Sequence, residues 1–433
     1  MFRKTLFMIV TAVLFLGVLV GCSNSNKPSN VDKNDDEIIE LTFNWWGEQI
    51  RHERTQKVIE LFEEQNPNIK IKSEISGWDG YWEKLATRAA GKSLPDLIQM
   101  SYAYLAEYAE RNLLTDLTPY VENGTIHFDD VDPLYTDPGK IGDQLYAVNL
   151  GANAFAIVYD PALFDEAGIP ELEPGYTYED LRDISRKMQN HFGDGFYGMK
   201  TFSHIDAFKH YLRQHDLWLF NEENDGLGYD DDSILTEFFQ YWLDNIKDGL
   251  STNPDADSAV QGVEDELIVH KKTALMGTNS NALISLMGAA ERPLKLMIYP
   301  TYPGAVDGHF ITPSQYVAVT AHSKHPEEAA KFIDFLTNNL EANEILAAER
   351  GVPISSKVRE HLLPSLDEAT KETFNYLELV QQYSRPVNIV APPGEGEIRE
   401  LFDRMSQAVA FGELTPEEAA NNFGKEARAV LGK

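Results

Sequence analysis

The sequence predicts an α/β protein with a mainly parallel sheet, divided into two lobes. The evidence for the sheet lies between Ile38 and Ile75, where apolar residues alternate, then recur at helical spacing, then alternate again. Alternation is typical of a strand with one buried face, and the wider spacing of an amphipathic helix. Together they indicate a βαβ unit. The lobes follow from length, since roughly 400 residues exceed a single hydrophobic core.

The first turn of this unit is rich in aromatic and charged side chains. Trp45 and Trp46 are followed by Glu48, Arg51 and His52. They stand at the carboxyl end of the first strand, where open α/β sheets bind their ligands. Adjacent residues of an extended segment point to opposite sides, so one tryptophan can enter the core while the other faces the crevice. Burial of both tryptophans is the alternative.

The same turn carries a family resemblance. The string WWGEQIRH, together with PDLIQM, ERGVP and TPEEAA farther on, resembles family 1 extracellular solute-binding proteins, the carbohydrate receptors of bacterial ABC importers. The first string is similar to Bacillus-type receptors for rhamnogalacturonan oligosaccharides. The resemblance implies a two-lobed periplasmic-binding-protein-like fold of type II, maltose-binding-protein-like, with hinge strands. It also implies an oligosaccharide ligand, permease subunits as partners, a monomer, no cofactor and no enzymatic activity.

The amino terminus has the features of an export signal. Residues 1–21 combine Arg3 and Lys4 with an apolar run, which is typical of a secretory signal peptide. The segment ending at Cys22 resembles the lipobox of bacterial lipoproteins, and Cys22 is the only cysteine. We therefore expect lipid attachment at Cys22, a polar tether over 22–37, and anchoring at the extracellular face of the cell membrane. A simple signal peptide with a chance cysteine is the alternative.

Charge and motif content exclude several classes of function. The chain has 37 basic and 69 acidic side chains and a net charge of −32, so nucleic acid is not an expected partner. Its 11 histidines form no HExxH motif or other metal-binding spacing. Residues 221–232 have a faint calcium-loop pattern, but the twelfth position is aspartate. A turn is favoured there, and no metal site is expected.

A second aromatic group follows the βαβ unit. Trp78 and Trp82 precede a predicted helix, where they either contact a ligand or pack on the helix face. The buried strand of PDLIQM ends at Ser101, and Tyr104 follows. The resemblance implies that the position after this strand touches sugar, often through an aspartate. Serine at this place leaves room for an acidic ligand that a carboxylate would repel.

Two crossings between the lobes are expected. The segment 147–153 resembles the first hinge strand, and Leu294–Tyr299 the second. The predicted boundaries place 38–147 and 303–340 in lobe 1, and 148–302 and 341–433 in lobe 2. Hinges border the cleft in which a ligand binds.

Polar side chains near these crossings complete the candidate site. The amides of Asn149 and Asn153 can donate to and accept from sugar hydroxyls. Thr278 and Asn279 follow a strand that, by the resemblance, ends over the cleft. Arg350 is expected near the hinge, where its guanidinium could bind a uronate carboxylate. A structural salt bridge is the alternative for this arginine.

The sequence therefore predicts a lipid-anchored receptor that closes on an oligosaccharide. Arg51, His52, Arg350 and the absence of a carboxylate at Ser101 favour an acidic sugar over a neutral one. The main rival is an extracellular lyase or glycosidase, which for hydrolysis would need a pair of carboxylates flanking the scissile bond. A receptor for a neutral oligosaccharide or a non-sugar solute is the other alternative.

Overall fold

The structure is a computed structural model that describes residues 38–47, 49–78, 80–386, 392 and 394–432. The expectations for the leader 1–21, the tether 22–37 with Cys22, and Glu48 lie outside these residues. From Ile38 onward the chain forms one compact unit. Within the described part, each helix is too short or too polar to cross a membrane.

The strands follow one another along the whole described chain. They are β1 (Ile39–Trp46), β2 (Ile69–Ser76), β3 (Leu97–Met100), β4 (Lys140–Ile141), β5 (Gln144–Leu145), β6 (Val148–Asn153), β7 (Phe155–Tyr159), β8 (Tyr197–Met199), β9 (Thr273–Asn279), β10 (Lys295–Met297) and β11 (Thr312–Val319).

The helices alternate with the strands at first and dominate the carboxyl-terminal part. They are α1 (Gln49–Gln65), α2 (Tyr81–Ala90), α3 (Tyr102–Glu110), α4 (Thr118–Glu122), α5 (Pro133–Thr136), α6 (Pro161–Glu166), α7 (Tyr178–Phe192), α8 (Ile205–Gln214), α9 (Ser233–Lys247), α10 (Pro254–Ser258), α11 (Ala282–Ala290), α12 (Pro326–Asn338), α13 (Leu340–Leu346), α14 (Ser356–Leu362), α15 (Glu368–Gln381), α16 (Glu395–Ala410) and α17 (Pro416–Leu431).

Two mixed sheets define the two lobes. The sheet of lobe 1 has the order β2-β1-β3-β11-β6, and the sheet of lobe 2 has the order β10-β7-β9-β8. In lobe 1, β1 runs parallel to both β2 and β3, whereas β11 is antiparallel to β3 and β6. The predicted βαβ unit is confirmed as β1, α1 and β2, and the two-lobed α/β fold is confirmed with it.

The apolar pattern of the first unit explains its packing. Leu41, Phe43 and Trp45 alternate along β1 and are fully buried. Val58 and Phe62 belong to the buried face of α1, and Phe62 meets Phe332 of α12 edge to face with ring centroids 5.0 Å apart. Helical and strand periodicities thus direct both apolar faces into one core.

The first crossing between the sheets lies later than predicted. β6 is paired with β11 in the lobe 1 sheet, and the chain enters the lobe 2 sheet at β7 after Ala154. The predicted boundary between 147 and 148 is therefore wrong by the length of one strand. The reason is that the sequence of β6 and β7 has the composition of one long extended segment. Only the backbone pairing shows that β6 belongs to the lobe 1 sheet and β7 to the lobe 2 sheet.

The third boundary also differs from the prediction, whereas the second does not. The predicted second boundary, between 302 and 303, lies between β10 of the lobe 2 sheet and β11 of the lobe 1 sheet. Helix α13, expected in lobe 2, packs against α1 of lobe 1. The return to lobe 2 comes after α14, because α15 contacts α11 and β10 while α16 and α17 contact α9.

Candidate functional site

Two cavities lie along the strands that join the lobes. The first has a volume of about 640 Å³ and the second about 460 Å³, which is the size of small-molecule sites in proteins. Asn153, at the end of β6, and Ser314, in β11, line both cavities. Side chains from both lobes complete the walls. We call the two cavities together the cleft.

Five of the predicted site residues line the cleft. Trp46, Arg51, Asn153 and Arg350 line the first cavity, and Asn153 and Asn279 the second. The other described candidates lie elsewhere: in the core, in the neighbouring aromatic cluster, or along the strands that lead to the cleft.

The paired tryptophans divide between core and cleft, as expected for adjacent residues in a strand. Trp45 is fully buried, and its indole Nε1 donates to Nδ1 of His52 at 3.1 Å. The assignment of Trp45 to the ligand is thus corrected, because its ring belongs to the core of lobe 1. His52 fixes this ring, while Trp46 is half-buried and faces the first cavity.

Trp46 is part of a cluster of aromatic rings at the edge of the cleft. It meets Trp78 edge to face at 5.1 Å and lies 5.8 Å from Trp82. Trp82 stacks on Tyr104 with ring centroids 3.8 Å apart. Trp78 is 50% exposed, and the indole Nε1 of Trp82 is buried without a hydrogen-bond partner. The cluster combines an accessible ring face with packed neighbours that hold the rings in place.

Arg51 forms a salt bridge with Glu349. Glu349 lies in the loop just before Val352, which pairs with Ala152 of β6. The Nε of Arg51 donates to a carboxylate oxygen of Glu349 at 2.9 Å, and the side chain of Arg51 is 17% exposed. A second guanidinium N–H donates to the carbonyl of Trp46 at 3.3 Å. The charge of Arg51 is therefore compensated by Glu349, which leaves it less positive toward a ligand than the sequence indicated.

Arg350 has a different environment. Its side chain is buried, with 3% of the residue exposed, and it donates to Gln99 Oε1 at 2.9 Å and to Thr55 Oγ1 at 2.7 Å. Its Nε has no hydrogen-bond partner among the described residues. Burial lowers the pKa of Arg350, and the nearby charge of Arg51 acts in the same direction. The described residues form no salt bridge with Arg350, because the acceptors that they offer its guanidinium are neutral.

The backbone at Arg350 is held just as tightly. A Cβ added at Gly151 would lie 2.2 Å from the Arg350 carbonyl oxygen, so only glycine allows β6 to approach this loop. Ser314 donates to the same carbonyl. The guanidinium therefore projects from a fixed position at the junction of β6, β11 and the loop.

The predicted amides and hydroxyls have separate positions. Asn149 is buried and its Oδ1 accepts from the Gly151 N–H at 3.2 Å, so it shapes the hinge strand. Asn153 Oδ1 and Asn279 Oδ1 are buried acceptors to which no described residue donates, and both side chains line the cleft. Ser101 precedes α3 and caps no backbone N–H with its side chain, and Thr278 pairs with Ala156 in the lobe 2 sheet. Neither lines the cavities.

Sequence reasoning missed the charged network of the second cavity, because no motif or spacing links its residues. Lys209 Nζ lies 2.6 Å from a carboxylate oxygen of Glu395, and Arg399 donates to Asp206 at 2.6 Å. Burial would raise the pKa of Asp206, but hydrogen bonds from Arg399 and the charge of Lys209 bring it below the usual value. These residues come from α16 and the start of α8, and their charges satisfy one another.

Metal chemistry has no support in the described residues. Within residues 38–432, where the chain is described, no group of three or more His, Cys, Asp or Glu side chains is arranged to bind a metal ion. The calcium-like segment forms a tight turn, in which Asn221 Nδ2 donates to Asp225 at 2.7 Å.

A two-lobed α/β body with a polar, aromatic-edged cleft at its crossing strands is typical of solute-binding proteins that close on a ligand. The particular family follows from comparison with known proteins. The chain belongs to the bacterial extracellular solute-binding protein family, whose model matches residues 49–341.

Individual relatives agree with this family. A family 1 extracellular solute-binding protein from Alicyclobacillus acidocaldarius is 29% identical, with a TM-score of 0.83 over 92% of this chain and 99% of that one. An oligogalacturonide-binding protein from Yersinia enterocolitica, in complex with saturated digalacturonic acid, is 25% identical, with a TM-score of 0.70 over 91% and 98%. The multiple sugar-binding protein of Streptococcus mutans is 23% identical over 398 residues, which are 85% of this chain and 87% of that protein.

Proposed function

We propose that the protein is the receptor of a bacterial ABC importer and that it binds an acidic oligosaccharide released from pectin. Its relative in Streptococcus mutans is named a multiple sugar-binding protein, which supports a sugar ligand. The Yersinia structure holds digalacturonic acid, which supports an acidic one. The finer assignment to rhamnogalacturonan rests on the WWGEQIRH string of the first turn.

The observation that carries the acidic assignment is the environment of Arg350. A buried guanidinium is costly unless an anion compensates it. The described residues offer Arg350 only neutral acceptors, and its Nε is unpartnered beside a cavity large enough for a sugar. A uronate carboxylate would supply the missing negative charge through a charge-assisted hydrogen bond.

The aromatic cluster supplies the second part of sugar recognition. Trp46 lines the first cavity, and Trp78 presents an accessible ring beside it. Aromatic faces pack on the apolar faces of sugars, while a few placed polar groups bind hydroxyls. Asn153 and Asn279, whose side-chain oxygens lack donors, fit the polar role.

The carboxylates of the cleft support binding over hydrolysis. A glycosidase needs one carboxylic acid with a raised pKa beside a second carboxylate. Asp206 and Glu395 are instead paired with Arg399 and Lys209, and the pKa of Asp206 is lowered. We propose that the ligand leaves the protein chemically unchanged and passes to the permease subunits.

Ligand binding is proposed to close the lobes about the strands near Asn153 and Thr312. A ligand shifts such an equilibrium only by binding the closed and open states unequally. Small-angle scattering should show a smaller radius of gyration with bound sugar. An unchanged radius in the presence of a tightly bound sugar would contradict closure.

Membrane attachment is proposed to run through Cys22, on the strength of the leader and the lipobox-like segment before it. Replacing Cys22 with alanine should release the protein into the medium. Unchanged membrane retention of the Cys22→Ala variant would show that the anchor lies elsewhere.

Calorimetry tests the substrate class directly. Purified protein would be titrated with saturated digalacturonate, with an unsaturated rhamnogalacturonan disaccharide, and with neutral galactan and arabinan fragments of equal length. We expect the acidic sugars to bind and the neutral ones to bind more weakly. Equal or tighter binding of the neutral fragments would overturn the pectin assignment and leave the receptor class standing. Cleavage of any fragment, seen by mass spectrometry, would instead favour the enzyme alternative.

A further inference from the structure

A groove on lobe 2 meets the cleft at Trp218. The groove has a volume of about 800 Å³, within the range of ligand sites. Trp218 belongs to its lining and also to the lining of the second cavity. The groove and the second cavity are therefore adjacent at this indole.

The wall of the groove is a tightly closed hairpin. Phe220 and Leu227 pair in antiparallel fashion, and Asn221 Oδ1 accepts from the backbone N–H of Gly226 at 3.1 Å. A Cβ added at Gly228 would lie 2.5 Å from the carbonyl oxygen of Trp218, so the two arms can approach only at a glycine. A groove built this way does not need to be ordered when a ligand binds, which favours affinity.

The ring of Trp218 is packed against Arg213 and Phe310, while its indole N–H is left without an acceptor among the described residues. The guanidinium carbon of Arg213 lies 5.4 Å from its ring centroid, and Phe310 meets the ring edge to face at 5.4 Å. Arg213 in turn donates to the carbonyls of Gly308 and Arg385 at 3.2 and 2.9 Å. The indole Nε1 of Trp218 is buried, and no described residue accepts from it. Buried donors are nearly always satisfied, and a sugar hydroxyl would satisfy this one.

The charges of the groove select against acidic units. Arg385 is neutralised by Asp216, with a guanidinium nitrogen 2.6 Å from the carboxylate. Glu222, Glu223 and Asp230 are exposed along the lining. Arg213 also lines the groove but is buried beneath Trp218, so the exposed charges of the groove are negative overall. They disfavour a uronate, whereas the groove can accept the hydroxyls of an uncharged sugar.

We infer that this groove is an extension subsite for uncharged sugar units of the same ligand whose acidic unit binds at Arg350. The inference rests on the proposed function, because it assigns the groove to a chain that starts in the cleft. It predicts a ligand of mixed charge, with its uronate in the first cavity and its neutral units beyond Trp218.

The test compares one short probe with two longer ones. The native protein is titrated with an unsaturated rhamnogalacturonan disaccharide, with a rhamnogalacturonan fragment that carries a neutral galactan extension, and with hexagalacturonate. We expect the neutral extension to tighten binding about tenfold relative to the disaccharide, as one stacked and hydrogen-bonded ring can contribute. Hexagalacturonate should show no such gain.

A variant that fills the groove tests whether the gain in affinity from the neutral extension arises there. Glu222→Trp adds bulk inside the groove without removing a folded contact, and Glu413→Trp makes the same change on an exposed position outside it. Glu222→Trp should abolish the gain and leave disaccharide affinity unchanged, while Glu413→Trp should keep the gain.

Each outcome decides a different claim. If the disaccharide binds but the neutral extension gives no gain, or if the gain survives Glu222→Trp, the groove is not a subsite. An equal gain from hexagalacturonate overturns the preference for neutral units. If none of the acidic probes binds the native protein, the proposed function itself fails.

Discussion

The two cavities of the cleft differ in how their charged side chains are compensated. In the second cavity Lys209, Arg399, Asp206 and Glu395 form a closed network in which each charge faces an opposite one. In the first cavity Arg350 is buried among neutral acceptors. Paired charges stabilise the folded chain and leave little for a ligand, whereas an uncompensated one is stabilised when an anion arrives. The comparison separates structural charges from binding charges, although both kinds line the same cleft.

The largest expected effect comes from breaking the closed network. Asp206→Ala leaves Arg399 and Lys209 without their buried partner, and we expect a loss of about 3 kcal/mol or more in the free energy of unfolding. Urea denaturation of the ligand-free protein measures it. The control is Asp248→Ala, which removes an exposed partner of Arg182 and should cost less than about 1 kcal/mol. Equal losses would show that the network is no more than surface pairing.

Acidification should also destabilise lobe 2, because it contains buried neutral histidines. Burial lowers the pKa of His210 well below its usual value, and of His309 to about 3. Since the folded pKa is depressed, this contribution to stability is complete above the unfolded pKa of about 6.5 and is lost as pH falls below it.

Each such histidine makes the free energy of unfolding fall by about 1.4 kcal/mol per pH unit below that point. Denaturation at a series of pH values between neutral and mildly acidic measures the slope. In the part of the chain that the structure describes, the ring nitrogens of His210 have no hydrogen-bond partner, so His210→Phe should fold and show a shallower slope. A slope identical to that of the native protein would contradict the assignment.

Arg350→Met removes the charge that has only neutral acceptors in the first cavity. We expect the affinity for digalacturonate to fall by about 1.5–3 kcal/mol, roughly ten- to more than a hundredfold, because one charge-assisted contact is lost. Calorimetry measures the change, and a thermal melt of the variant verifies that it is folded. Affinity for a neutral fragment should change far less. An unchanged preference for the acidic sugar would place the carboxylate elsewhere.

The smallest effect is expected at the neighbouring arginine. Arg51 already pairs with Glu349, so Arg51→Met should lower the affinity for digalacturonate by less than about 1 kcal/mol. The two variants remove the same group from the same cavity and differ in whether a carboxylate compensates it. If Arg51→Met cost as much as Arg350→Met, compensation would not be what distinguishes the two sites.

Sequence alone determined the parts of this protein whose cause is local. The alternation in β1 and the helical spacing of α1 predicted the βαβ unit, because an apolar period reports which face is buried. The same local logic directed attention to Trp46 at the end of β1. The family followed from short strings that are contiguous in the chain.

Tertiary structure decided everything that depends on which distant segments meet. Arg350 is buried because Thr55, Gln99 and Gln315, from three other elements, surround it. No period in the sequence relates these positions. Likewise β6 joined lobe 1 through its pairing with β11, and Trp45 turned inward to meet His52. Charge compensation is a property of contacts between distant residues, so the chain's composition could reveal its net charge but not which charged groups are paired.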